Sequence, residues 1–363
     1  MKRLAIVQRY VPAYRVPFFQ ALRHELGTEV ELTVIAGLPE GAQAKRGDAT
    51  THEWVTFAQA RSVRVGSRRI YVTSTQAAWS HSDAVIVPHQ GTSLDTYSAL
   101  LRRGKGLRVG VWGHIGQYVG PANRVDTLLE GWQLRAADHV FAYTLHGAEV
   151  ASRAGVSADK VTTVMNSLDV QELVASVDAI SETELDAFRH DHGIPRDANV
   201  LAMVGGLDAS KRVLFVADTL DELHRRGSRV HIVVAGAGDQ APLLDAAVER
   251  GQVTMLGYAV GRSKALAFRI AKGLIAPGRV GLLAVESLAT GLPILTTRWP
   301  FHAPEYAYLH EGQSALVSAN TVAEYADLLE MAATADRVAR RPYPTLEQMT
   351  KNFAAGVRAL LTN

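Results

Sequence analysis

Short apolar runs alternate with longer amphipathic stretches along the whole chain. In the first half the runs are LAIV (4–7), VELTVIA (30–36), DAVIVP (83–88), LRVGVW (107–112), HVFAY (139–143) and VTTVM (161–165), and stretches of helical character lie at 15–26, 92–103, 122–137 and 145–154. The pattern then restarts. VLAMVGG (200–206), RVHIVVAG (229–236), VTMLG (253–257), GLIAPG (273–278), PILTT (293–297) and SALV (314–317) read as strands, with helices predicted at 211–226, 239–250, 261–271, 282–290 and 321–334. Buried strands alternating with helices of this length predict parallel sheets with right-handed crossovers. The fold class is therefore α/β: two Rossmann-like, doubly wound domains facing across a cleft, with ligands expected at the C-terminal strand edges.

The polar, acidic stretch 167–199 separates the two patterns and reads as a hinge, with one helix around 181–190. This gives an N-terminal domain at 1–167, a C-terminal domain at 168–345, and a last helix at 346–363 that can pack back on the first domain. The apolar spacing Met349, Phe353, Val357 and Leu360 marks one face of that helix. Composition adds little: 363 residues, 47% hydrophobic and 20% charged, suit a two-domain globular protein. No apolar run approaches a membrane span, and the opening MKRLAIVQRY has too short an apolar run for a signal peptide, so the cytoplasm is expected. The absence of Cys excludes disulfides, thiolate metal sites and cysteine nucleophiles.

Charge changes the picture once it is split. Residues 1–120 carry 15 Lys and Arg against 8 Asp and Glu, a net of +7, while the remainder carries 23 against 28, a net of −5. Arg61, Arg64, Arg68 and Arg69, then Arg102, Arg103, Lys105 and Arg108, form the basic clusters. A solvated surface and an attraction to an anionic membrane face or phosphate-bearing acceptor both account for them. Nucleic acid is not expected, because no binding motif accompanies the charge.

Three stretches of the second half place a loop between a strand and a helix, where backbone N–H groups hold anions. In GLIAPGRVGLLAVESLATGLPILTT (273–297) the turn Gly278–Gly281 leads into a helix near Leu282 and Leu283. That start is a natural diphosphate seat, and Gly281 lets a ligand approach the backbone. Glu286, one turn in, can accept from two vicinal ribose hydroxyls, although alone it is an ordinary helix-surface residue. In VGGLDASKRV (204–213), Gly205 and Gly206 precede Asp208, a possible cap, and the cations Lys211 and Arg212, which suit a phosphate clamp or a solvated pair. AGAGDQ (235–240) supplies a third turn at Gly236, where a plain tight turn suffices.

Taken in order, these stretches resemble the donor half of the GT-B glycosyltransferases of family 4. The first half adds IVQRYVPAYRVPFFQAL (6–22), VGVWGHIG (109–116), ADHVFAYT (137–144) and KVTTVMNSLD (160–169), so the likeness runs through nearly the whole chain. It implies a retaining transfer of sugar from a UDP- or GDP-linked donor to a hydroxyl acceptor, with no metal and no cofactor beyond the donor. Glu286 matches the glutamate that holds the ribose. His114, after LRVGVW, matches a histidine near the donor sugar and acceptor, while Tyr14 and Arg15 are placed in the acceptor pocket. Asn166, Gly257, Tyr258, His302 and Glu305 match further positions less securely. Two departures stand out: Gly206 replaces the usual clamp arginine, and Gly278 replaces the first of the two glutamates, which in the family touches the transferred sugar. The acceptor is expected to be anionic or lipid-linked, with peripheral membrane contact through the N-terminal domain. The rival readings are a sugar-nucleotide epimerase of the same fold and a non-enzymatic relative.

Overall fold

The computed structural model describes residues 1–38, 52–59, 61–65, 68–72, 75–104, 106–116, 118 and 124–362. Lys105 and the side chains of Arg61, Arg64, Arg68 and Arg69 lie outside the described residues. The chain divides into two compact units, one running from Met1 to Asp169 and rejoined from Pro344 onward, the other from Val170 to Tyr343.

The first unit contains β1 (Lys2–Gln8), α1 (Val16–Leu26), β2 (Val30–Ala36), β3 (Val55–Phe57), β4 (Arg61–Val65), β5 (Arg68–Val72), α2 (Gln76–Trp79), β6 (Ala84–Pro88), α3 (Leu94–Leu100), β7 (Arg108–Gly113), α4 (Arg124–Ala136), β8 (His139–Ala142), α5 (Leu145–Arg153) and β9 (Val161–Thr163). Seven strands pair in the order β3-β2-β1-β6-β7-β8-β9, all parallel. Their apolar runs are buried on both faces, as in Ala84–Val87, because helices cover each side of the sheet. β4 and β5 form a separate antiparallel hairpin, with Arg64 paired to Arg69, which the sequence pattern left unassigned along with β3 and α2.

The second unit follows with α6 (Gln171–Asp178), α7 (Glu182–Asp191), β10 (Asn199–Val204), α8 (Val213–Arg225), β11 (Val230–Ala235), α9 (Asp245–Glu249), β12 (Val253–Gly257), α10 (Gly261–Ile270), β13 (Leu274–Ile275), α11 (Leu283–Thr290), β14 (Ile294–Thr297), β15 (Ala315–Ser318) and α12 (Val322–Thr334). Its six parallel strands run β12-β11-β10-β13-β14-β15. Strand order reverses between β10 and β13, so the loops leaving these two strands diverge at the sheet's C-terminal edge, the usual ligand position in such sheets. The stretch 167–199 is mostly helix, since α6 and α7 occupy it and pack on α10 within the second unit.

The last helix, α13 (Leu346–Thr362), belongs to the first unit. Met349, Phe353, Val357 and Leu360 are all fully buried against α1 and the β7–β9 side of the sheet. Phe353 stacks on Phe141 at 4.6 Å and meets Trp112 edge-on at 4.9 Å. The approach is close because Gly356 has no side chain: a Cβ there would lie 2.6 Å from the Phe141 ring and 2.8 Å from Thr162 Oγ1. Both neighbours are held in the sheet. Gly356→Val should therefore destabilise the first unit by about 1–3 kcal/mol, the usual cost of overpacking a core. Denaturant unfolding followed by tryptophan fluorescence checks this, and an unchanged midpoint would show that α13 can move away freely.

Candidate functional site

The loop after β13 is sewn to the loop after β10. Arg279 N–H donates to Ser210 O at 2.8 Å, and Lys211 Nζ donates to Arg279 O at 2.8 Å. Asp208 caps the short 3-10 turn Ala209–Lys211, its carboxylate accepting from Ser210 N–H at 2.9 Å. The two loops touch at Gly278, where a Cβ would stand 2.3 Å from Ser210 O and 2.9 Å from Lys211 C. A glutamate at 278 therefore has no room beside this turn. The departure from the family pattern is a packing requirement of the Lys211 loop.

Arg212 is held rigidly. Its backbone is left-handed (φ 57), and Nη1 donates to Pro277 O at 3.1 Å, Thr297 Oγ1 at 3.0 Å and Asn320 Oδ1 at 2.6 Å. The guanidinium lies between the rings of Phe215 (4.0 Å) and Trp299 (4.6 Å), and burial lowers its pKa. Arg212 thus ties together the ends of β13 and β14 and the loop after β15. Gly236 also has a structural reason to be glycine, since a Cβ there would fall 2.0 Å from Gly205 O, whose residue is itself left-handed (φ 114). Gly206 is partly buried in the same strand end, while Gly257 (φ 66) and the exposed Tyr258 close β12.

The start of α11 carries the clearest binding signal. Val280 N–H is taken by His302 Nδ1 at 3.3 Å, and Ala284 N–H by Gly281 O at 2.9 Å. Between them, the N–H groups of Gly281, Leu282 and Leu283 have no hydrogen-bond partner among the described residues. Three consecutive amides at a helix N-terminus form an anion site. His302 can accept from Val280 only while Nδ1 is unprotonated. Burial, with a smaller contribution from the Lys211 charge, holds its pKa down to about 4, and the ring stacks on Tyr306 at 4.0 Å. His302 is therefore a neutral brace for the loop. The chain beside it, fixed by Ala303 N–H to Val280 O at 2.8 Å, brings the buried Glu305 within 3.8 Å of where a Gly281 Cβ would sit.

Glu286 lies one turn into α11, 6% exposed, with its Oε1 2.5 Å from Lys264 Nζ of α10. No motif in the sequence pointed to Lys264, which belongs to no glycine-rich turn, and Arg279, although inside the turn Gly278–Gly281, was not singled out. Only the three-dimensional path of the loops brings them to the site.

On the first unit, Tyr14 and Arg15 follow β1, which with β6 flanks the reversal point of that sheet. Tyr14 is 42% exposed, whereas Arg15 is 4% exposed. The Arg15 Nη2 donates to Asn166 Oδ1 at 2.7 Å, and its guanidinium is ringed by Tyr14, Phe18, Trp112 and Tyr143 at 5.3–5.9 Å. His114 is partly buried beyond β7, edge-on to Tyr118 (5.7 Å) and Tyr143 (5.0 Å). Among the described residues the three non-glycine residues with positive φ are Ile115, Met165 and Arg212. They adjoin His114 and Asn166 or belong to the loop after β10, and such strain is commonly concentrated at functional sites. The sequence reading missed His89 in the loop after β6 and Glu130 of α4. His89, half-buried and shifted to about 4 by desolvation, meets Glu130 O at 3.1 Å, and Glu130, its own pKa raised by burial, accepts from Gly91 N–H at 3.2 Å.

Gly278→Glu, which installs the family's first glutamate, should lower the melting temperature and weaken nucleoside diphosphate binding by displacing the Lys211 turn. Thermal unfolding with and without uridine diphosphate (UDP) checks it. A stable variant with unchanged or tighter binding would show that the space exists.

Comparison with known proteins places this geometry. Residues 198–334 match the family described as "Glycosyl transferases group 1". No curated protein matches the chain. Among solved structures, a glycosyltransferase from Rickettsia africae aligns over 100% of this chain and 99% of its own at 12% identity, with a TM-score of 0.65. The UDP-GlcNAc 2-epimerase from Neisseria meningitidis, bound to UDP-GlcNAc, aligns over 100% of both chains at 13% identity and TM-score 0.64. Anabaena Alr3699/HepE in complex with UDP-glucose aligns over 99% of this chain and 100% of its own at 11% identity and TM-score 0.63. At these identities the likeness shows the fold, which is GT-B. The stretch from β10 to α12, which carries the amide site, is the part that matches the group 1 glycosyltransferase family.

Proposed function

We propose that the protein is a retaining, metal-independent glycosyltransferase of the family 4 type, using a nucleoside diphosphate sugar. The observation that carries the reading is the set of three unpartnered amides at Gly281, Leu282 and Leu283, bracketed by Lys211 on one loop and Glu286 one turn along. Diphosphate oxygens accept from the amides, and the Glu286 carboxylate accepts from ribose hydroxyls. As the bond between sugar and diphosphate breaks, negative charge grows on the leaving phosphate. Lys211 and the helix N-terminus stabilise it where a metal would otherwise serve. Arg212 acts through position, fixing the loops on which the amides and Lys211 sit. Retention fits a front-face displacement in which the leaving phosphate takes the acceptor proton, with His114 on the first unit polarising sugar and acceptor. Tyr14 and Arg15 are assigned to the acceptor side.

The group 1 match over the donor domain favours transfer over epimerisation, although an epimerase shares the fold. Incubating donor sugars alone separates the two, because an epimerase releases an isomer without any acceptor. The +7 balance of residues 1–120 supports an anionic or lipid-linked acceptor met at a membrane face, without a spanning segment. Among the described residues no helix is long and apolar enough to cross a membrane. Binding to liposomes that rises with anionic lipid and falls with salt supports that setting, and binding indifferent to both contradicts it.

Glu286→Ala should leave the protein folded and weaken UDP or GDP binding by about 1.5–3 kcal/mol, the range for a hydrogen bond to a charged group. Calorimetric titration decides the matter, and unchanged affinity refutes the assignment. Transfer activity should persist in EDTA; an absolute requirement for added Mn²⁺ or Mg²⁺ contradicts the metal-free mechanism.

A further inference from the structure

The carboxylate assigned to the ribose is buried against a lysine. Glu286 and Lys264 have side chains only 7% and 24% exposed, and Lys264 reaches across from α10 with its ammonium 5.8 Å from the Phe268 ring. A carboxylate in such a place is destabilised in its charged form unless a cation compensates it, because desolvation favours the neutral acid. Two ribose hydroxyls that both donate need a carboxylate held in one direction.

We propose that Lys264 is a positioning residue of the donor site, fixing the direction of the Glu286 carboxylate so that it accepts from the ribose hydroxyls. The proposal rests on the donor-site reading and deepens it. Lys264, on α10, belongs to no glycine-rich loop or phosphate-binding motif, so its contribution runs through Glu286.

The surroundings of α11 leave this role to Lys264. On α10, Arg262 is engaged with Glu184 and Arg269 with Glu182. On the 304–308 turn packed against α11 the ionisable groups are Glu305, Tyr306 and Tyr308, and on α6 they are Glu172 and Asp178, the latter engaged with Arg340. His302, neutral, Lys211 and Arg279 stand at the loop before the helix. In the returning segment, Arg337 is engaged with the carbonyls of Phe268 and Ala271, while Arg341 touches α11 through its backbone N–H on Leu288 O. Among the described residues, Lys264 is the cation that meets the Glu286 carboxylate.

The test titrates UDP, and separately inorganic pyrophosphate, into wild-type protein and the variants Lys264→Met, Lys264→Arg, Glu286→Gln and Lys264→Met/Glu286→Gln. Lys264→Met should bind UDP about tenfold more weakly, while its affinity for pyrophosphate, which has no ribose, stays unchanged. Lys264→Arg should restore most of the UDP affinity. The double variant, which leaves no unpaired charge and guards against poor folding of Lys264→Met, should bind as Glu286→Gln does. A tie that only joined α10 to α11 would lower the melting temperature with no ribose-dependent deficit in binding. That result, or losses that add in the double variant, overturns the proposal while leaving the donor site intact if Glu286→Gln is impaired. Equal binding by wild type and Glu286→Gln overturns the donor-site reading and this proposal with it.

Discussion

The turn at Ser210–Arg212 presses against the backbone of Gly278, and the two loops hold each other there by Arg279 N–H on Ser210 O and Lys211 Nζ on Arg279 O. This contact fixes where α11 begins. Lys211 can reach the loop only because no side chain intervenes at 278, and the loop keeps its path because Arg212 binds Pro277 O, Thr297 Oγ1 and Asn320 Oδ1 beneath it. On the other flank His302 accepts from Val280, the first amide of the approach. What is left unsatisfied is a run of three amides at the point where the sheet reverses its strand order. Unpartnered amides at a helix N-terminus are ready donors to an anion.

Most of the fold was legible from the apolar runs. VELTVIA coincides with β2 residue for residue, and the spacing of Met349, Phe353, Val357 and Leu360 marks the buried face of α13. A strand buried on both faces reads as a continuous apolar run, and such runs seldom have another explanation. The hairpin β4–β5 escaped notice because RSVRVGSRRIYV interrupts its apolar positions with arginines, as a small two-stranded ribbon apart from the main sheet can. α6 escaped because QELVASVD is a short helix whose apolar face rests on α10, and eight residues give little periodicity to read.

The site was legible in part, and for a different reason. Glycines, Lys211 and Glu286 could be placed because each belongs to a turn or spacing with a mechanical meaning. Their reasons proved mixed: Gly236 and Gly278 are glycine because neighbouring backbone occupies the place of a side chain, whereas Gly281 has only ordinary contacts around it and borders the open amides. Lys264 lies 22 residues before Glu286, on a helix whose pattern is simply amphipathic, and nothing local announces the ion pair. Arg212 reads in sequence as a second phosphate cation. The structure gives its Nη1 internal acceptors, a distinction that depends on where three strand ends meet and is invisible along the chain.

Hydrogen–deuterium exchange across the 279–286 segment tests the central claim most directly, because it reads the three amides themselves. Without ligand, Gly281, Leu282 and Leu283 should exchange quickly, having no protein partner to slow them. With saturating UDP the same segment should become protected, together with the Lys211 turn bound to it, while the α13 region of the first unit stays unchanged. Protection that spares 279–286, or no change with a nucleotide shown to bind, would contradict the assignment of the α11 N-terminus as the diphosphate site.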